Sequence, residues 1–569
     1  VPEWSTACPD WSRRIVAGES LIPFAPLFPE QADAAMRIYR ELVVVDQPSV
    51  EAADGSIIRP TFGTLSREWI LEFVSHIFGS YDAESGRRLI TEFYLSISKK
   101  NAKSTAGAGI MLTALILNWR QSGEFSIISP TIEIANNSFF PARDMIRADP
   151  ELRDLLLVQE HYRTITHRVS NATLKVVAAD NEAVGGKKSI GTLIDELWIF
   201  GKRPNAENML REATGGQASR PEGFTVYLTT QSDEPPAGVF KQKLSYARGV
   251  RDGRIADKRF LPLLYEFPEA MIKDESYLDR KNFYITNPNL GASVDPEFLD
   301  RRLAEAQESG EESVRGFLAK HLNIEIGLAL QSGSWAGAMF WEENSERALT
   351  LEEILRRCEV VSVGIDGGGL DDMLGLSAIG REKGTGLWLH WAHAWIHPIV
   401  LERRKKEAAR FRDFEADGDL TIVDKIGDDL AQVAQRIQQI EEAGLLERVG
   451  VDVAGIGGVV DALVSPKPKG IGLAQDRIVG IPQGWKMVGA IKTLERKLAE
   501  KMVKHAGSNL MAWVIGNAKV EPRGNAIVIT KQLAGSAKID PLMATFNAVT
   551  LMALNPQATR RKLMMFSVG

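Results

Sequence analysis

Short apolar runs rich in β-branched and aromatic residues recur along the first part of the chain, and segments of helical composition separate most of them. The runs are FYLSIS, FSIISP, LKVVAA, GTLIDEL and FTVYLTT. Strands that are apolar throughout are buried on both faces, and strands that alternate with helices pair in parallel. The pattern therefore predicts an α/β domain with a parallel sheet over residues 1–325, with an N-terminal extension of about 60 residues.

From Asn323 to Trp341 the chain turns rich in glycine and serine, which places the domain joint there and a linker over residues 326–355. A second α/β domain, residues 356–569, opens at EVVSVGIDGGG and continues through GLWLHWAHAWI, LTIVDKI and RVGVDVAG. It closes on a helix containing KIDPLMATFNAVTLMAL and a basic, apolar tail, PQATRRKLMMFSVG. With 569 residues, 44% hydrophobic and 25% charged, the chain can build two or three ordinary cores. No internal repeat or low-complexity tract interrupts it.

Cys8 and Cys358 form no ligand pattern, so a reducing compartment is expected. No apolar run approaches the ~20 residues that cross a bilayer, and VPEWSTACPDWSRR has no apolar signal core. The expectation is neither membrane insertion nor secretion. The net charge of −6 does not advertise a nucleic-acid partner, but a local basic channel would suffice for one. LERRKKEAARFR, and Lys497, Lys501 and Lys504 at helical spacing, supply either such a channel or solvated helix faces.

YLSISKKNAKSTAGAGIML reads as a strand, a basic turn and a small-residue helix. A triphosphate site needs backbone N–H groups and a lysine aimed at phosphates, a hydroxyl for Mg²⁺, and two carboxylates, one for the metal and one for water. Lys103 and Ser104, with Thr105 beside them, fit the first roles. GTLIDELW ends a buried strand in Asp195, which would orient the Mg²⁺-bound water, and Glu196, which would be general base. Thr229, Thr230 and Gln231 end another strand with groups that can sense the γ-phosphate. The loop lacks glycines: Ala102 stands where the last one belongs, and a left-handed alanine costs roughly 1–2 kcal/mol. The turn is therefore expected to put its positive φ on Asn101, leaving Ala102 right-handed.

In the second domain, Asp366 ends a β-branched strand before glycines, with Asp371 and Asp372 shortly after. Asp452 repeats the device, and Asp540 opens a helix with Pro541 behind it. Carboxylates from two strand ends and one helix start suit a two-metal phosphodiesterase, because hard cations take oxygen ligands. His390, His393 and His397 lack partners at metal-site spacing and are expected to pack or to face DNA rather than to ligate.

In order, SKKNAKS, LIDELW and YLTTQSD resemble the ATPase half of tailed-phage terminase large subunits, whose loop commonly reads Arg-Lys-Asn-Gly-Lys-Ser. Lys99 then stands for the arginine and Ala102 for the glycine. ITNPNLGASV and FLAKHLNIE are similar to later segments of that half. The three-acid set resembles the family's RNase H-like nuclease, with Asp366, Asp452 and Asp540 matching its metal-binding acids and Asp372 an accessory one. The resemblance implies a P-loop (ASCE-type) ATPase domain followed by an RNase H-like α/β nuclease domain. It also implies ATP and Mg²⁺ as cofactors, with Mn²⁺ a possible nuclease metal. Glu68 and Trp69 would lie against adenine, and an arginine from a neighbouring subunit, Arg143 among Arg143, Arg147 and Arg153, would act in trans. Implied partners are double-stranded DNA, a portal protein, a terminase small subunit and further copies in a ring on the procapsid. The implied location is host cytoplasm, transiently at the portal vertex. Two other readings share these residues. One is a helicase-like or translocating ATPase whose RNase H-like domain is non-cleaving or specific for branched DNA. The other is a non-enzymatic virion assembly protein.

Overall fold

The computed structural model describes residues 3–558 apart from 52–53, 55–56, 179–188, 204–205, 216–218, 328–334, 406, 454–456, 524–525 and 532–537. Most of the expected C-terminal tail, residues 559–569, lies outside the described residues. The chain divides into two compact units, Val1–Ile326 and Gly327–Gly569.

The first unit is built on an eight-stranded sheet: β1 (Glu92–Ser96), β2 (Glu124–Ser129), β3 (Leu156–Gln159), β4 (Thr164–His167), β5 (Thr173–Ala178), β6 (Ser189–Ile194), β7 (Phe224–Thr229) and β8 (Phe260–Leu264). The spatial order is β8-β1-β7-β6-β2-β5-β4-β3. The six strands from β8 to β5 are parallel, and the β3–β4 hairpin extends them antiparallel. β6 and β7 are buried at every position, as runs without polar alternation require. All five sequence-read strands are present. Helix α1 (Lys103–Ile116) follows β1, and its small residues let it lie close to the sheet. A methyl on Gly107 would stand 2.9 Å from Leu228 of β7 and 3.0 Å from Leu193 of β6. Its outer side is covered by the N-terminal segment, where Tyr39 stacks on Phe62 at 4.5 Å, so that segment belongs to this unit's core. Helix α2 (Ile132–Ala148) follows β2 and begins at a Thr131 cap.

The second unit carries a mixed sheet of β9 (Cys358–Gly367), β10 (Met373–Glu382), β11 (Trp388–Ile396), β12 (Leu420–Ile422), β13 (Leu446–Asp452), β14 (Ile478–Ile481) and β15 (Val503–His505). Its order is β12-β11-β10-β9-β13-β14, with β15 also on β11. The β9–β10–β11 meander is antiparallel, and β13 and β14 add to β9 in parallel. Helix α3 (Asp540–Met552) lies across β9 and β10. The stretch expected as a linker is not open chain where it is described. Trp335 and Trp341 are buried in the second unit's core, and Leu351–Arg357 is a helix, because two tryptophans carry too much apolar surface to leave in water.

Glycine sets how closely α3 approaches. A methyl on Gly364 would overlap the Ala544 carbonyl oxygen and stand 2.6 Å from the Ala548 nitrogen. Backbone cannot give way as a side chain can, so Gly364→Ala is expected to destabilise the protein by about 3 kcal/mol in urea unfolding.

Candidate functional site

Parallel pairing brings the carboxyl ends of β1, β6 and β7 to one edge: Ser96 is level with Thr229, and Ile194 with Tyr227 and Ile128. Ligand sites in open α/β sheets form outside such an edge. The phosphate-loop candidate and the Asp195 strand are not direct neighbours, since β7 lies between them. Ser104 bridges that gap, its hydroxyl donating to Asp195 Oδ2 at 2.9 Å. Ser138 of α2 donates to the same oxygen at 3.0 Å, and the Glu196 N–H donates to Oδ1 at 3.0 Å. The carboxylate is fully buried, and burial followed by repulsion from Glu196 raises its pKa to about 6.

Lys103 is buried, and its ammonium donates to the carbonyls of Ile97 (3.3 Å) and Ser98 (3.1 Å). Burial pulls its pKa down, and the nearby Glu196 and Asp195 oppose that. The first turn of α1 points its N–H groups away from the helix, as helix starts do, so the loop presents dipoles and a lysine to an anion. A hydroxyl and a carboxylate beside a lysine and helix N–H groups are donors of the kind that suit a nucleotide with a divalent ion.

The loop itself differs from expectation. Ala102 is the left-handed residue (φ 59°), Lys100 is another (φ 70°), and Asn101 is not. Asn101 has other bonds to make: its side chain donates to Ser98 O and Asn287 Oδ1 and accepts from the Asn289 N–H. Asn289 returns a bond to Asn101 O, and Ser293 donates to Lys100 O. These side chains, all within or next to the ITNPNLGASV segment, hold the loop where glycines are absent. Trp69 joins the same clamp by donating to Asn289 Oδ1 at 2.8 Å, while Glu68 is exposed.

Glu196, also left-handed (φ 55°), accepts from the Trp198 indole N–H. Lys320 lies over the Trp198 ring, 2.9 Å from its centroid, and donates to Gln231 O. Burial lowers the Lys320 pKa to about 7. Thr229, Thr230 and Gln231 are fully buried, and Gln231 is held by Asn323 and directed to Glu266. Lys99 gives its N–H to Lys320 O. Arg143 is bound within its own unit, paired with Asp144 at 2.7 Å and Glu160 at 3.1 Å and lying over Phe140, so acting on a neighbour would require breaking both pairs. Ser138, Trp198 and Lys320 carry no stated role in the sequence, although Trp198 lies in LIDELW and Lys320 in FLAKHLNIE, because their side chains show no chemistry until the fold aims them.

In the second unit, Ile365 is level with Val451, so Asp366 and Asp452 leave adjacent strands side by side, both half-buried. Gly367, left-handed at φ 85°, sits under Asp540: a methyl there would lie 3.2 Å from Asp540 Cβ. Asp372 is ion-paired with the buried Lys538. The acids therefore share one sheet edge, although no three His, Cys, Asp or Glu residues form a group able to hold a metal ion among the described residues. Their donors are hard carboxylate oxygens, which suit Mg²⁺ or Mn²⁺. His390 (2% exposed) bonds Thr545, and burial lowers its pKa to about 3. His393 bonds Thr421 between Trp391 and Trp395, so both pack in the sheet.

The Asp195 environment has a pH signature. A carboxyl whose folded pKa lies above its unfolded value contributes stability that is complete below about pH 4 and lost as pH rises to about 6. Without nucleotide, Asp195→Asn should therefore be more stable than the parent at pH 7 by roughly 2–3 kcal/mol, with the gap closing towards pH 4 in denaturant titrations. The left-handed Ala102 gives a second expectation. Ala102→Gly should stabilise the unit by about 0.5–1 kcal/mol, the strain relieved less the entropy glycine adds to the unfolded chain.

Residues 68–249 match the family model for the terminase large subunit ATPase domain, and residues 262–555 match that for its endonuclease domain. The terminase large subunits of Lactococcus phages p2 and SK1 are each 21% identical over 484 residues, 81% of this chain and 82% of theirs. Among solved structures, the HK97 bacteriophage large terminase aligns with a TM-score of 0.46 and 18% identity, covering 92% of this chain and 99% of that one. The large terminase of a thermophilic bacteriophage, in complex with ADP, gives a TM-score of 0.31 and 14% identity, covering 85% and 98%. On the extent of the endonuclease match, with the ATPase match ahead of it, the chain belongs to the terminase large subunit family.

Proposed function

We propose that the first unit hydrolyses ATP to drive double-stranded DNA into a procapsid and that the second cuts concatemeric DNA with two divalent ions. Lys103 and the α1 N–H groups bind the phosphates, and Ser104 and Asp195 hold Mg²⁺, which would offset phosphate charge and fix its geometry. Glu196 takes the proton from the attacking water. The observation that carries the reading is the part-buried Ser104–Asp195 bond across β7, which joins two motifs 91 residues apart at one sheet edge.

Glu196 accepts the Trp198 indole N–H on Oε2, which orients the carboxylate, and its other oxygen, Oε1, would take the proton from water. In the second unit, Asp366, Asp452 and Asp540 would hold Mg²⁺ or Mn²⁺, which would supply a nucleophilic hydroxide and stabilise the leaving oxygen. Asp372, paired with Lys538, supports that set from the neighbouring strand. DNA contacts are to phosphate, since a translocating motor must not depend on sequence. Site choice then falls to a small-subunit partner, and the working form is a ring on the portal protein at the procapsid vertex, within host cytoplasm.

Lys103→Ala should lower ATP turnover by at least about 100-fold while plasmid cleavage in Mn²⁺ or Mg²⁺ persists. Asp366→Ala should abolish cleavage and leave ATP turnover within about twofold. Turnover insensitive to Lys103, or cleavage insensitive to Asp366, contradicts the assignment.

A further inference from the structure

The edge of the second sheet that carries the acids also carries large apolar side chains in water. Asp366 is the penultimate residue of β9, Met373 begins β10 opposite Ile396 of β11, Ile396 is level with Ile422 of β12, and Asp452 is level with Ile481 of β14. Just beyond these strand ends lie Leu370 (53% exposed), Ile426 (73%), Val453 (70%) and Trp485 (61%). Single exposed apolar residues are ordinary on a protein surface, so what distinguishes one of these is its chemistry and how it is held.

Trp485 is the one with a flat face, and its loop is fixed to the acids. Gly484 turns the chain in the left-handed region (φ 71°), and Met487 anchors the far side in the core. Gln483 donates to Asn547 Oδ1 at 3.0 Å. Asn547, fully buried on the same helix as Asp540, donates to the Ile365 carbonyl at 2.8 Å, one residue before Asp366. Two hydrogen bonds thus index the Trp485 loop to the strand and the helix that carry two of the acids. Trp485 is four residues beyond Ile481, so it stands no more than about 14 Å from the strand level of Asp452, a span of a few nucleotides. Lys486 places its ammonium 5.6 Å from the Trp485 ring centroid, where it can meet the phosphate of a base lying on that ring.

We propose that Trp485, with Lys486 beside it, is a nucleobase-stacking site that takes an unpaired base of the DNA strand lying across the acid edge. A paired base has both faces covered by its neighbours, so only an extruded or melted base can use an aromatic platform. The nuclease unit would then grip duplex that is locally open more tightly than duplex that is closed. The inference rests on the nuclease reading of this edge.

The test uses the full chain carrying Asp366→Asn, in Mg²⁺, with duplexes bearing one 2-aminopurine either inside a three-base bubble or fully paired. The bubble duplex should bind about tenfold more tightly, with its fluorescence quenched on binding. Adding Trp485→Ala should remove the quench and the preference while affinity for paired duplex and the melting temperature stay unchanged, and Trp485→Phe should retain most of both. Bubble binding or quenching that is unaltered by Trp485→Ala, or no preference for the bubble, overturns the proposal. Plasmid cleavage by the parent chain is scored separately. Trp485-dependent quenching in a chain that does not cut keeps the stacking site and removes the nuclease reading, and cutting without such quenching does the reverse.

Discussion

Register is the constraint on which both units depend. In the first unit, parallel pairing makes every strand from β8 to β5 end at one edge, so residues far apart in sequence meet there without any long-range side-chain packing to choose them. Ser104 can reach Asp195 only because β1, β7 and β6 are in step, and a one-residue slip would turn the side chains at each strand end to the opposite face. The second unit obtains the same result from a mixed sheet, where β9 is antiparallel to β10 but parallel to β13, leaving Asp366 beside Asp452.

The glycine-poor loop between β1 and α1 shows how strain is carried by its surroundings. A left-handed alanine at 102 persists because a shell of asparagines satisfies the loop's backbone and leaves it no freer conformation. The same shell extends through Asn323, which bonds Ser96, Tyr265 and Gln231 together. The chain from Lys320 to Glu325 is thereby tied to the ends of β1 and β7. Lys320 contacts Trp198 and Gln231, and Glu325 pairs with Arg248, which also holds Glu266. Hydrogen bonds and ion pairs thus run from this strand edge to the last residues of the first unit.

Much of this was legible in the sequence. Short apolar runs such as GTLIDEL that alternate with helical segments read as buried strands, and the polar residues that follow mark the edge. That gave the sheet, the Lys103–Ser104 turn and the acids at 195, 366, 452 and 540 their places in the fold. What could not be read was the local competition for each side chain. Asn101 looked like the residue to take a positive φ, but its amide is worth more as a bridge to Asn287 and Asn289. Gln231 was read for its side chain alone, and the fold adds a bond from that amide to Glu266 which the sequence does not show. The glycine-rich stretch before Trp335 suggested an open joint, yet two buried tryptophans within seven residues of each other pull its later part into a core. Composition reports where a chain can bend, and burial decides whether it does.

The central claim is that one polypeptide assembles two independent acid centres, one at each sheet edge. Manganese binding followed by electron paramagnetic resonance tests it most directly, with and without a non-hydrolysable ATP analogue. The account predicts two classes of ion. One appears only with the nucleotide and is lost in Ser104→Ala, and the other needs no nucleotide and is lost in Asp452→Asn. A single class of ion, or one substitution that removes both, would contradict it.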